Sequence, residues 1–180
     1  MIVYFSEIIE SYFEIKFHLN FTAMTNLLTL DDLDKRILLQ LQQNAAITNQ
    51  ELAEKVHASA PTCLRRVRRL TEDGWIQRQV ALVQPEKLGM TLTAIVEITL
   101  DVQTSEQLTA FEQLVAGEPA IQQCYRVSPG PDFVLVMLVQ DMPAYHALAH
   151  SLFSSQRNIR NVRSFFSVHR SKFDTAVPLP

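Results

Sequence analysis

At 180 residues the chain can hold one ordinary domain or two small ones, and 47% hydrophobic with 19% charged residues is a globular composition that excludes disordered and fibrous classes. A formal net charge of -3 excludes a protein held to its partners by overall positive charge, so any anionic partner must be met by a local concentration of cations. Cys63 and Cys124 lie far apart with no CxxC pairing, which points to neither a disulfide framework nor a cysteine zinc site and fits a reducing cytosol.

The chain opens on MIVYFSEIIESYFEIKFHLNFTA, where six of the fifteen aromatic residues fall in the first 23 positions. Glu7, Glu10 and Glu14 interrupt this apolar run, no basic cluster starts it and no small-residue cleavage site follows, so neither a signal peptide nor a membrane anchor is expected. The composition shift at Met24 marks residues 1–23 as an N-terminal extension. The expectation is that Met24 is the true start, with an amphipathic partner-binding segment as the alternative.

From Leu30 to about Gly74 the apolar spacing is helical. Leu33, Ile37, Leu38 and Leu41 recur behind the acidic DDLD, whose carboxylates suit a helix N-terminus, and the helix should end near Asn44. TNQE at 48–51 has the form of a capping box, which predicts a short second helix through Leu52, Ala53 and Val56. After a tight turn at His57-Ala58, Ser59 is the expected N-cap of a third helix with Pro61 in its first turn, running to about Glu72 and stopping at Asp73-Gly74. WIQRQVALVQP follows, and its β-branched residues suggest a strand pair or wing. The layout is a helix-turn-helix of the winged kind.

Beyond Pro85 the period changes. LTAIVEITLDV, IQQCYRV, DFVLVMLVQD and NVRSFFSVHR read as strands, and SEQLTAFEQLVAG and PAYHALAHSLFSS as helices, in the order βαββαβ of a ferredoxin-like domain. The fold class is therefore α+β. Apolar runs such as FVLVMLV supply both faces of a sheet, so a second copy should cover the open face and the protein should be at least a dimer.

Within SAPTCLRRVRRL, residues 59–70, four arginines occur without an acid. At about 100° per residue Ala60, Cys63, Leu64, Val67 and Leu70 form one face, which must dock on the first two helices and turn the arginines outward. With no acid in the strip, no i,i+4 partner is expected to balance it, and DNA phosphate is the natural anion. Residues 24–90 as a whole carry nine Lys/Arg against eight Asp/Glu, so the charge must be focused on this helix and multiplied by oligomerisation. Ser59 and Thr62 suit base-edge or phosphate contacts near the helix start, Arg65 is the expected base reader, and Arg66, Arg68 and Arg69 complete the DNA-binding set, with Arg66 and Arg69 on phosphates.

The segments LDDLDKRILLQLQQNAAITNQELAEKV and CLRRVRRLTEDGWI closely resemble the winged helix-turn-helix of the Lrp/AsnC (leucine-responsive, feast/famine) transcription factors, and VEITL, SPGPDF and DMPAYHAL continue the match to about residue 172. The resemblance implies a cytoplasmic bacterial or archaeal DNA-binding regulator. It implies dimerisation through the βαββαβ domain, often assembly into an octamer as a tetramer of dimers, and response to an amino acid. It divides the chain into the extension over 1–23, a winged helix-turn-helix over 24–76, a linker or hinge strand over 77–90, an effector-binding and oligomerisation domain over 91–173 and a tail over 174–180. In the family the loop between the two central strands reads Gly-x-x-Asp and lines an effector site between subunits. Here the corresponding residues are Ser128, Pro129, Gly130 and Asp132, with Pro129 in place of the glycine and one N–H lost. Met142 and the run Phe165, Phe166, Ser167 align with the rest of that region, and their apolar character favours leucine or methionine as effector.

HALAH places His146 and His150 one helical turn apart without a third ligand, so no metal site is expected. No phosphate loop, dinucleotide fingerprint or nucleophile elbow occurs, and neither an enzyme nor a cofactor is expected. The rival from another class is a metabolite-binding module whose N-terminal helices contact proteins; exposed apolar anchors in place of the arginine face would mark it.

Overall fold

The computed structural model describes residues 30–154 and 156–179. The expected start at Met24 lies outside the described residues. The chain divides after Ala81 into two compact units, with the segment from Asp174 returning to the first.

The first unit holds α1 (Asp32–Gln43), α2 (Asn49–Val56) and α3 (Ala60–Glu72). Each begins where a side chain satisfies a free backbone donor: Asp31 accepts from the Asp34 amide, Thr48 from Glu51 and Ser59 from Thr62. The first two caps are reciprocal boxes, with Asp34 and Glu51 reaching back to the cap residue's N–H. These hydrogen bonds hold the Asp31 and Glu51 carboxyls below the ordinary range, chiefly through the Asp34 amide for the first and the Thr48 hydroxyl for the second.

The turn between α2 and α3 depends on His57, whose φ of 55° lies in the left-handed region. Ala58 N–H then bonds the Ala53 carbonyl at 3.0 Å, Arg36 Nε of α1 donates to the Val56 carbonyl at 3.3 Å, and Asn49 Nδ2 donates to the Ala60 carbonyl at 2.6 Å. Ile37, Leu38, Leu52, Ala53, Val56, Cys63 and Leu70 form the core, and Trp75 and Ile76 pack against it. Burial pushes the Cys63 thiol up, so it is a small core residue. The returning tail docks on α1: Gln42 Nε2 donates to the Val177 carbonyl at 3.1 Å, the Val177 N–H donates back to Gln42 Oε1 at 2.5 Å, and Leu179 joins the core.

The strand expected within 77–90 is not formed. Residues 77–84 have no regular secondary structure and expose Val80, Leu82 and Val83, before a 3-10 turn at Pro85–Leu88. β-branched residues confer strand geometry only where a neighbour supplies backbone partners, and none of the described residues does so here.

The second unit runs β1 (Leu92–Leu100), α4 (Ser105–Ala116), β2 (Ile121–Arg126), β3 (Phe133–Val139), α5 (Met142–Ala149) and β4 (Ile159–Phe166), with a π-helical turn at His150–Ser154 after α5. The sheet order is β2-β3-β1-β4 and every neighbouring pair is antiparallel, which is the ferredoxin-like arrangement. Alternation decides the faces: Ala94, Val96, Ile98 and Leu100 of β1 and Phe133, Leu135, Met137 and Val139 of β3 are buried beneath Phe111, Val115, Tyr145 and Phe153. The opposite face carries Ile95, Val134, Val136, Leu138, Tyr125 and Phe165, none of them fully buried.

Candidate nucleic-acid interface and effector region

Helix α3 is rotated relative to the face expected from its apolar residues. Cys63 and Leu70 are fully buried and Val67 packs beside them, but Leu64 is 62% exposed. Taking about 100° per residue, Leu64 stands roughly 100° from Cys63 whereas Arg66 stands about 60° from it on the other side, so docking along the Cys63–Leu70 ridge draws Arg66 inward and leaves Leu64 out.

The arginines are correspondingly unequal. Arg66 Nη1 donates to Asp31 Oδ2 at 2.5 Å and to both oxygens of Asp34 at 3.2 Å, and its Nε is buried without a hydrogen-bond partner among the described residues. The Asp31 hydrogen bond, together with both carboxylates, raises its pKa. Arg69 Nη2 donates to the same Asp34, and its Nε lies 4.0 Å from Asp73. Arg68 pairs with Glu72 at 2.8 Å, one helical turn on, which also raises its pKa. Arg65 is exposed and makes no hydrogen bond or ion pair among the described residues. The expectation of an unbalanced strip, all pointing outward, is thus corrected: acids from α1 and from the end of α3 itself engage three of the four. No acid within residues 59–70 signalled this because Asp31 and Asp34 lie more than thirty positions upstream.

Ser59 and Thr62 stand together at the α3 N-terminus, their hydroxyls 2.8 Å apart. The outward set is therefore Ser59, Thr62, Leu64, Arg65, Arg68 and the outer edge of Arg69. Leu64 was missed in the sequence because wheel arithmetic groups it with the core.

In the second unit the loop after β2 is pinned at its base. Val127 N–H bonds the Asp132 carbonyl at 3.1 Å and Asp132 N–H the Ile98 carbonyl at 2.8 Å. The Asp132 carboxylate accepts from the Leu100 N–H at 2.7 Å, where pairing of β1 with β4 shifts register. Ser128, Pro129 and Gly130 project from this base, with a cis Ser128–Pro129 bond and φ of 130° at Gly130, a backbone that a side chain would strain. Thus Asp132 has a structural partner already.

The other expected effector residues sit elsewhere. Met142 is half-exposed in the first turn of α5, three residues after Val139, which pairs with Leu92. Ser167 N–H bonds the Thr93 carbonyl at 2.9 Å, Phe165 lies beside Ile95 on the open face under Arg163, and Phe166 meets the Tyr145 ring edge-on from the helix side. The loop is at the Ile98–Leu100 end of β1 and these residues lie beside Leu92–Ile95, from about 10 Å away for Phe165 to about 20 Å or more for Met142 at strand rise. One copy of the chain does not bring the eight residues into one site.

Cys124 points to the helix side beside Glu112; desolvation, then the Glu112 carboxylate, raises its thiol pKa, the opposite of an activated nucleophile. Among the described residues no helix is long and apolar enough to cross a membrane.

Residues 30–77 match the family model for a winged helix-turn-helix DNA-binding domain, and residues 93–177 match that for the Lrp/AsnC ligand binding domain. An HTH-type transcriptional regulator of Haemophilus influenzae is 38% identical over 151 residues, 84% of this chain and 90% of that protein. The crystal structure of an AsnC family transcriptional regulator from Agrobacterium tumefaciens superposes with a TM-score of 0.80 at 35% identity, over 83% of this chain and 97% of that one. That of a Neisseria meningitidis transcriptional regulator in complex with L-Met gives 0.80 at 29% identity, over 84% and 97%.

Proposed function

Because the chain belongs to the Lrp/AsnC family of DNA-binding transcriptional regulators, with a ligand-binding domain for amino-acid effectors, we propose that α3 enters the major groove with Arg65 as its base reader. The observation that carries this is the exposure of Arg65 without a partner, on the helix face shared with Thr62 and Leu64. Its guanidinium is available to guanine O6 and N7, and Leu64 has the apolar surface to meet a thymine methyl. Ser59 at the helix N-terminus, Arg68 and the outer edge of Arg69 address phosphates. Arg66 acts as an internal strut. A single exposed leucine among arginines is too little apolar surface for the protein-contact reading.

The effector is leucine or methionine, bound without catalysis or cofactor. Met142, Phe165 and Phe166 offer apolar surface, and the similar Neisseria regulator was solved with L-Met. The separation of the 128–132 loop from Met142 and Phe165–Ser167 supports a site completed by a second copy. The same copy covers the open sheet face around Val136, giving a dimer, and four dimers give an octamer. Each dimer presents two α3 helices to successive major grooves about 34 Å apart, and the effector shifts the assembly that sets their spacing. A protein that works on DNA in this way resides in the cytoplasm.

The test is a titration of the purified protein on its own upstream region at two salt concentrations, with and without an amino-acid panel. Tight, salt-sensitive binding altered by leucine or methionine is the expected result. Binding untouched by every amino acid overturns the effector reading, and no binding to any duplex overturns the DNA reading.

A further inference from the structure

Asp34 is the one fully buried carboxyl side chain among the described residues, although Asp32, the other acid of α1, is exposed. Its oxygens accept from Arg66 Nη1 at 3.2 Å, from the Asp31 N–H at 3.3 Å and from Arg69 Nη2. A buried carboxyl group needs hydrogen-bond donors in place of water, and here two guanidiniums of α3 supply them. They are not equivalent: the Arg66 side chain is 20% exposed and that of Arg69 is 44% exposed. Arg69 meets Asp34 through Nη2 and has Asp73 4.0 Å from its Nε, yet its side chain stays partly open to solvent on a helix that also exposes Arg65 and Arg68.

We infer that Asp34 is a positioning residue for DNA recognition. It fixes the Arg69 guanidinium so that the outer donors meet one phosphate in a preset orientation, and through Arg66 it fixes the rotation of α3 that points Arg65 outward. Arginine suits this double use because its planar fork makes hydrogen bonds on two edges at once, so that ordering the side chain is done before DNA arrives. The acid that the strip lacks is supplied by another helix, and its effect is to aim the positive charge while cancelling part of it. The inference rests on the DNA-binding reading above and assigns to that surface a residue that does not touch DNA.

The experiment measures affinity for a duplex selected from a random library by the wild-type protein, and for a random duplex of equal length. It uses full-length wild type, Asp34→Asn, Arg69→Lys and the double variant, each checked for folding by circular dichroism and Trp75 fluorescence. For Asp34→Asn, affinity for the selected duplex should fall about tenfold or more, the size of one lost specific contact. Affinity for the random duplex should hold or rise, because the variant has one carboxyl group fewer beside its arginines. A purely structural role lowers the folded fraction and so weakens both duplexes alike; that outcome, or an unchanged ratio, overturns the inference. The double variant should lose no more than about the larger single loss, since Asp34 acts through Arg69, and additive losses overturn that route. Should Asp34→Asn fail to fold, Arg69→Lys decides: it keeps the charge and loses the fork, so a preserved ratio rejects the inference and a fallen ratio supports it. Absence of wild-type binding to any duplex removes the DNA reading itself, a result distinct from all of these.

Discussion

The two units reach a single arrangement of their elements by different chemistry. The helical unit has a small core, Ile37, Leu38, Leu52, Val56, Cys63 and Leu70, and orders it with directional contacts: two capping boxes, a left-handed turn at His57 and the buried carboxylate of Asp34 between α1 and α3. The sheet unit has a continuous apolar layer under two helices, and its order comes from strand alternation. Hydrogen bonds and ion pairs depend on angle and distance, so they can set the rotation of a recognition helix. Apolar burial is indifferent to direction, which suits a sheet whose second face, in the proposed dimer, is covered by another copy.

That contrast can be broken where each unit is most committed. Phe133→Ala should cost the sheet unit about 3 to 5 kcal/mol, and Asp34→Ala the helical unit somewhat less, the first by leaving a cavity and the second by stranding the largely buried Arg66 guanidinium. Trp75 is the only tryptophan and packs on the helical core, so its fluorescence in denaturant should follow the Asp34 substitution and ignore the Phe133 one. A common shift would mean that the units unfold together.

Val136→Asp places a charge on the open sheet face without touching the helix-covered core. Sedimentation should show a smaller assembly, with Trp75 unfolding unchanged; an unaltered sedimentation coefficient would remove the second copy from that face. A smaller effect is expected at the α2 cap. Thr48→Ala should cost about 1 kcal/mol, read by the same fluorescence transition.

The smallest effect concerns acid. The folded protein holds the Asp31 carboxyl below its ordinary value, first through the Asp34 amide and then through Arg66. A depressed carboxyl contributes stability above its unfolded pKa and loses it as pH falls through the folded one. Asparagine caps a helix as well as aspartate, so Asp31→Asn removes the charge and keeps the cap. The gap in Tm between the two proteins should be present at neutral pH and close below about pH 4. A gap that persists in acid would assign it to packing.

Local chemistry wrote much of this protein into its sequence. Ser59, Thr48 and the DDLD run mark helix starts because each supplies an acceptor within three residues of the amides it satisfies; near-alternation marks β1, and an unbroken apolar run of strand length marks β3. The βαββαβ order follows from those marks. The tertiary structure alone decided which arginines face outward. Asp31 and Asp34 are distant in the chain from Arg66 and Arg69 and meet them only when α1 and α3 pack, and the same packing exposes Leu64. It decided, too, that 77–84 is not a strand and that the residues proposed for the effector divide between two ends of a sheet. Strand pairing and register bring together residues far apart in the chain, and no local pattern encodes which partners they find.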